Sequence, residues 1–491
     1  MKKLLLLSLL LLLFLTACGF EEPPPLPPLT IPPGLTLEDV LQVTNQRRAS
    51  IQPPTTETLL SLTPTRATPP QPLNLRHLGS VIPVTHVLYE DAIEDVMLLF
   101  DMLRYIYAGY NYLGGDAVFT PIRDSIIASI SEQDVWHRGA LENLLFNSLN
   151  AVIHDNNASI AGRRLSAYSR FFTYDGVFLK TENGFLHYST GRYVTDVVGY
   201  NINDVFRLAL GQCGNFYYRL VIYQLGTTAL TCHANIIFNT GETEAITLVA
   251  DCLRRRIETH VQAEPSVQYQ DDIPVVRIEN FLLYPVFIQR TLIALEQLRH
   301  EPIIVIDIRN SLGFGDRTQP VRLMYSLMGE VVLPSFVHFQ RQLAGDVLLP
   351  SDNVVHTAEV AAILDFINEI MPTRQLNANY TVTTASGGMV SNDRLVILLV
   401  CGSVAVPAED FVNMMLSIEN TLIIGQNTHG ASFSSFGERI HLPNSGIRST
   451  FGQALVVHSY GQFTEGVGIA PDVWVTGCAL TATLNMLNLN R

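Results

Sequence analysis

Lysine is almost missing from this chain: of 31 basic residues only Lys2, Lys3 and Lys180 are lysines, and the other 28 are arginines. Charge of any sign is scarce, at 15% of 491 residues, and the formal net charge of -14 includes no basic block. A protein that grips nucleic acid by neutralising phosphates is thereby excluded. Cysteine is also rare. After Cys18 come Cys213, Cys232, Cys252, Cys401 and Cys478, an odd number that cannot all pair within one chain. No C-x-x-C spacing marks a zinc site, and no metal or cofactor is expected. One disulfide among Cys213, Cys232 and Cys252 would suit an oxidising compartment, with buried free thiols as the simpler alternative. No apolar run reaches the roughly 20 residues of a membrane span. What is abundant is apolar sequence, 47% of the chain, enough to build two to four domains with sizeable cores.

Lys2-Lys3 and the run Leu4 to Leu15 have the basic and apolar regions of a secretory signal, ending in Leu15-Thr16-Ala17-Cys18. That ending resembles the bacterial lipobox, which implies diacylation of Cys18 and a mature chain tethered to a membrane outside the cytoplasm, periplasmic or at the cell surface. From Pro23 to Pro72 lie 13 of the 26 prolines, the composition of an extended stalk. A short helix is expected inside it, from Leu35 to Arg48.

Residues 92–103 carry apolar side chains at helical intervals, and further helices are expected over 124–130 and 138–153, with Gly114-Gly115 and Pro121 marking a turn. Residues 176–180 and 217–223 read as strands, and Val205 to Leu210 as a helix-like stretch. Beyond residue 272, the strands Ile273–Ile278, Ile303–Ile308, Leu395–Val400 and Leu422–Gly425 alternate with helices at 284–300 and 408–419, the pattern of a sheet covered on both faces.

Three of these segments carry a resemblance. Ile304-Val305-Ile306-Asp307-Ile308-Arg309-Asn310-Ser311-Leu312-Gly313 resembles the strand and glycine turn of the C-terminal-processing, or tail-specific, serine peptidases. Leu395 to Phe411 is similar to their nucleophile segment. Ile423 to Gly430, together with Gly466-Val467-Gly468-Ile469-Ala470-Pro471-Asp472, resembles their V-G-x-x-T-x-G and closing G-I-x-P-D elements, and Val275 to Phe281 their opening strand. The resemblance covers most of residues 272–476. It implies an α/β (α+β multi-domain) protein: signal peptide 1–17, Pro-rich linker 18–82, helical N-terminal subdomain 83–159, β-rich PDZ-like module 160–262, and an α/β peptidase-like domain with a mixed sheet over 263–491.

In such a site a serine at a helix start attacks the peptide carbonyl, backbone N–H groups hold the oxyanion, and a base takes the serine proton. Here the nucleophile position, three residues before Glu409, is Val406, and Pro407 beside it has no N–H to donate. The lysine of the Ser-Lys branch corresponds to Ala431. The histidine of the tricorn-like branch corresponds to Asn157, and its glutamate to Glu465. Gly313 keeps the oxyanion-side turn, although Leu312 and Phe314 replace neighbouring glycines. Fallback candidates are Ser403 as a displaced nucleophile and His154 as a shifted base. His429, beside Ser432 and Ser434, reads as a structural loop residue. Thr384 to Gly388 reads as a turn, and Asp307 and Arg309 as structural. The resemblance therefore implies a peptidase-family lipoprotein without intact catalytic residues, similar in that respect to the family's retinoid-binding relatives. It would bind peptide or unfolded protein, or serve as an envelope scaffold. The alternative is an active serine endopeptidase with a rearranged nucleophile and base.

Overall fold

The computed structural model describes residues 34–51, 73–74, 84–166, 169–227, 229–250, 266–278, 285–311, 318–330, 332, 336–341, 347–348, 373–377, 380–385, 389–434, 437, 439–458 and 465–490. The fold is mixed α/β, with helices α1 (Leu37–Ala49), α2 (Tyr89–Tyr105), α3 (Asp116–Ile130), α4 (Arg138–Asn150), α5 (Pro285–Gln297), α6 (Thr318–Met328), α7 (Pro407–Met415) and α8 (Ala479–Leu489). Fourteen strands share one sheet: β1 (Ser169–Thr173), β2 (Phe178–Thr181), β3 (Gly184–His187), β4 (Arg192–Val197), β5 (Phe206–Leu210), β6 (Phe216–Leu225), β7 (Thr231–Phe238), β8 (Thr243–Ala250), β9 (Ser266–Gln270), β10 (Ile273–Arg277), β11 (Ile303–Asp307), β12 (Leu395–Val400), β13 (Thr421–Gly425) and β14 (Val473–Trp474). Their spatial order is β9-β10-β11-β12-β13-β14-β5-β6-β1-β8-β7-β4-β3-β2.

The strands β10 to β14 run parallel, and their apolar runs exist because both faces are covered. Alternation sorts the side chains. Ile304, Ile306, Val396 and Leu398 pack with Leu295 of α5, Leu323 and Leu327 of α6, and Phe411 and Val412 of α7. Val305, Ile397, Leu399, Leu422 and Ile424 face the other way, onto Val40 of α1 and Ala482 and Met486 of α8. Thus α1, the helix expected inside the Pro-rich stalk, is docked on the sheet.

Beyond β14 the sheet continues through Ala209↔Trp474 into β5, and β2 returns to β6 through Tyr218↔Phe178, so that β6, β1, β8, β7, β4, β3 and β2 close on themselves. Phe172, Phe178, Phe185, Val194, Leu220 and Ile236 fill the interior. The helix-like reading of Val205 to Leu210 is corrected here. Helix is confined to one turn, Ile202–Val205, and Phe206–Leu210 is a strand, because β6 and β14 supply ladder partners on both sides.

In α2, Ala92, Val96, Leu99 and Leu103 fall on one stripe against Phe119 and Ile126 of α3 and Leu141 and Leu145 of α4. α3 starts at Asp116, eight residues earlier than expected, and contains Pro121 instead of beginning after it. As the sixth residue of the helix it lies past the first turn, and its missing N–H leaves the Ala117 carbonyl without the usual donor four residues on. A separate four-stranded sheet orders 439–441, 448–450, 155–160 and 163–165, and carries Asn156 and Asn157 to the segment that follows β13.

Candidate functional site

The chain leaves β12 at Val400, turns, and enters α7 at Pro407 with Val406 as its N-cap, at φ 47° and ψ −111°. A positive φ on a β-branched residue costs on the order of 1–3 kcal/mol. It marks a sharp turn from strand to helix. The side chain at the apex of this turn is an isopropyl group buried against Ala405 and Ala431. The nucleophile and lysine positions marked by the sequence thus meet as an apolar contact. The only lysine of the central module, Lys180, lies instead on β2, 6.0 Å from the Phe185 and Tyr218 rings.

Beneath that contact lies Glu409, fully buried. Its Oε1 accepts from Thr428 Oγ1 at 2.5 Å and Gly430 N at 2.7 Å, and its Oε2 from Ala431 N at 2.9 Å and Val406 N at 3.2 Å. Thr428 Oγ1 in turn accepts from Ile469 N at 2.7 Å, joining the closing element to the network. Gly468 makes that approach possible, since a Cβ there would stand 1.9 Å from the Thr428 carbonyl oxygen.

Asn157 donates its amide to the Ala431 carbonyl at 3.0 Å and the Ser434 carbonyl at 2.6 Å. Asn156 N donates to Glu465 Oε1 at 2.6 Å, and Phe433 N to Oε2 at 3.0 Å, so Glu465 reaches the Asn156-Asn157 strand. Asp155, buried beside them, accepts from Tyr107 Oη at 3.0 Å and Asn157 N at 2.8 Å. Sequence reasoning missed two of these groups. Glu409 served it only as an alignment marker, and Asp155 only as part of a turn.

The fallback residues are not assembled into a catalytic pair. His154 is exposed, one residue outside the buried strand. Ser403 hydrogen-bonds the Cys401 thiol, and that thiol donates to the Arg309 carbonyl at 2.9 Å. His429 directs Nδ1 to the Gly402 carbonyl at 3.2 Å. Arg309 clamps Asp307 through two bonds, Nε to Oδ1 at 2.8 Å and Nη2 to Oδ2 at 2.7 Å. Thr384 and Ala385 end a strand, Tyr380–Ala385, which corrects the turn reading for that pair. Gly313 with Leu312 and Phe314, Ser386 to Gly388, Cys18 and Cys252 lie outside the described residues. No group of three or more His, Cys, Asp or Glu able to hold a metal occurs among the described residues.

Three carboxyls therefore share one network, and each has its pKa pushed up. Burial is the leading cause for Glu409 and Asp155, and for Glu465 burial comes first with the Asp155 charge after it. Groups of this kind hold protons more tightly folded than unfolded, so stability falls as pH rises from the ordinary carboxylate range through the raised values. The expected result is a melting temperature that declines as pH rises above the ordinary carboxylate range, with a shallower decline in Glu465→Gln. Equal slopes in the two proteins would show that Glu465 does not carry the effect.

No family model and no curated protein matches this chain. Among solved structures, mature CPAF complexed with lactacystin is 15% identical, with 82% of this chain and 97% of that one covered and a TM-score of 0.40. The photosystem II D1 C-terminal processing protease is 13% identical, with 79% and 92% covered and a TM-score of 0.36. A lipoprotein from Streptococcus agalactiae is 13% identical, with 84% and 99% covered and a TM-score of 0.37.

Proposed function

We propose that the chain is a membrane-anchored lipoprotein, built on the scaffold of a tail-specific serine peptidase, that binds peptide or unfolded protein without cleaving it. The observation that carries this reading is the convergence of positions far apart in sequence. Val406, Ala431, Asn157 and Glu465 are brought into one connected cluster. A serine peptidase needs a nucleophile and a base at such a place. Valine has no lone pair, alanine has no amine, and the Asn157 amide is neutral and spent on two carbonyls. The backbone of the nucleophile turn persists, with Val406 still at positive φ. Cys18 is the lipid attachment point, which places the globular part outside the cytoplasm on a bacterial membrane.

The test is exposure of the purified mature chain to a fluorophosphonate serine probe, alongside unfolded protein and peptide libraries. No labelling and no cleavage are expected, with retention of some peptides on the immobilised chain. Labelling that disappears in Ser403→Ala would establish the rearranged endopeptidase instead. Acyl labelling and membrane retention should both vanish in Cys18→Ala, and their persistence would remove the anchor from the proposal.

A further inference from the structure

Two short strands, His86–Leu88 and Val135–His137, pair antiparallel at the entries to α2 and α4. Their register sets His86 against His137, Val87 against Trp136 and Leu88 against Val135. Alternation turns Val87 and Trp136 onto the helical core and leaves both histidines, with Leu88 and Val135, on the outer face. Both histidines are exposed there.

The backbone bonds define what kind of pair this is. Tyr89 N donates to the Asp134 carbonyl and Arg138 N to the Thr85 carbonyl, each at 3.0 Å. By the register these bonded residues face each other, and bonded and non-bonded pairs alternate along an antiparallel ladder. His86 and His137 are therefore a non-hydrogen-bonded pair, the arrangement in which opposed side chains come closest. Their ring centres lie 5.5 Å apart with the planes at 86°. Two imidazoles on one zinc ion, with Zn–N about 2.0–2.1 Å, place their ring centres about 4.5 Å apart at a right angle and about 5.2 Å apart at a tetrahedral one. The observed spacing is a small side-chain rotation away from the tetrahedral chelate. The adjoining cation, Arg138, is occupied by Glu142 at 2.8 Å.

We propose that His86 and His137 together form an open site for a borderline transition-metal ion such as Zn²⁺, the two imidazoles supplying two ligands and water the rest. Imidazole suits zinc, copper and nickel, whereas magnesium and calcium take oxygen ligands. No third His, Cys, Asp or Glu completes the set among the described residues, so the site is open and weaker than a closed structural zinc site. One lone pair has a prior use. His137 is the N-cap of α4, and its Nδ1 accepts from Gly139 N at 3.2 Å, a long bond. A metal taken on Nε2 moves the ring proton to Nδ1 and ends that bond. In exchange, the ion clamps the entries of α2 and α4 together. The site is remote from the Val406 turn in sequence and in role, so it stands or falls apart from the peptidase-scaffold reading.

Calorimetric titration of the purified, untagged chain with Zn²⁺, in buffer containing excess Mg²⁺, should show a saturable site. Two variants each remove one ligand and keep the residue's other contact. His86→Phe preserves a ring against His137, and His137→Asn preserves a strong N-cap acceptor for α4. Each should weaken Zn²⁺ binding at least about tenfold, the least that even a supporting residue of a metal site costs when lost. Zn²⁺ should also raise the melting temperature of the parent and leave that of either variant unchanged, since only the folded ribbon holds the two rings together. The proposal is overturned by no saturable Zn²⁺ binding, by equal affinity in the parent and both variants, by a loss confined to one variant, or by a Zn²⁺-dependent rise in melting temperature that survives both changes.

Discussion

Glu409→Ala should be among the most damaging single changes in this chain. The carboxylate accepts from Thr428 Oγ1, Gly430 N, Ala431 N and Val406 N. Truncation strands one hydroxyl and three backbone N–H groups in a site that is fully buried. Each abandoned donor costs about 1–3 kcal/mol, and water entering the space recovers only part. A net loss of at least about 3 kcal/mol is expected, a large share of the 5–15 kcal/mol typical of a whole domain. Against this stands the cost of burying an acid, visible in its raised pKa. Glu409→Gln relieves that cost but keeps one acceptor oxygen and turns an amide N–H₂ toward other donors, so it should fall between. Glu296→Ala, on the exposed face of α5, should stay within about 0.5 kcal/mol of the parent. Urea denaturation of the four proteins orders them, and equal midpoints for the two alanine variants would sink the argument.

The same residue shows what could be read from the sequence. The turn from strand to helix at Val406 was legible, because such a turn is a local object fixed by a few consecutive residues. The core strands β11, β12 and β13 were legible for the same reason, each being a short apolar run that only a doubly covered sheet explains. A glutamate three residues past a helix N-cap was also a readable signal, since that position can reach back to the cap N–H, as Glu409 does to Val406 N. Its other partners follow 19 to 22 positions later, and no periodicity encodes them. β5 was misread because its ladder to β14 joins Ala209 to Trp474, a contact that local propensity does not contain. The link from Asn156 N to Glu465, across 309 positions, was only suggested by resemblance.

Arg48 was legible only as the end of a short helix, yet Arg48→Ala is the second change expected to be severe. The Arg48 side chain is 1% exposed and its partner Asp472 2%. It also donates Nη1 to the Thr421 carbonyl at 2.9 Å, while Asp472 accepts from Ile423 N at 2.8 Å. α1 is thus tied to the start of β13 and to the residue preceding β14. Breaking a buried pair by removing one member costs about 3–5 kcal/mol, because the other charge stays behind. Arg47, whose Nη2 lies 2.5 Å from Asp472 Oδ1, softens this toward the lower figure. Arg47→Ala itself should cost less than about 1 kcal/mol, since its side chain is 59% exposed. The two readings of Arg48, local latch or global keystone, separate by hydrogen exchange. If α1 is a latch, Arg48→Ala loses amide protection over 37–49 while β11 and β12 keep theirs. Because Asp472 Oδ2 also holds the Ile423 N–H of a central strand, we expect the loss to spread into β13 and β14. Protection lost in α1 alone would show that Asp472 holds the sheet without its buried arginine.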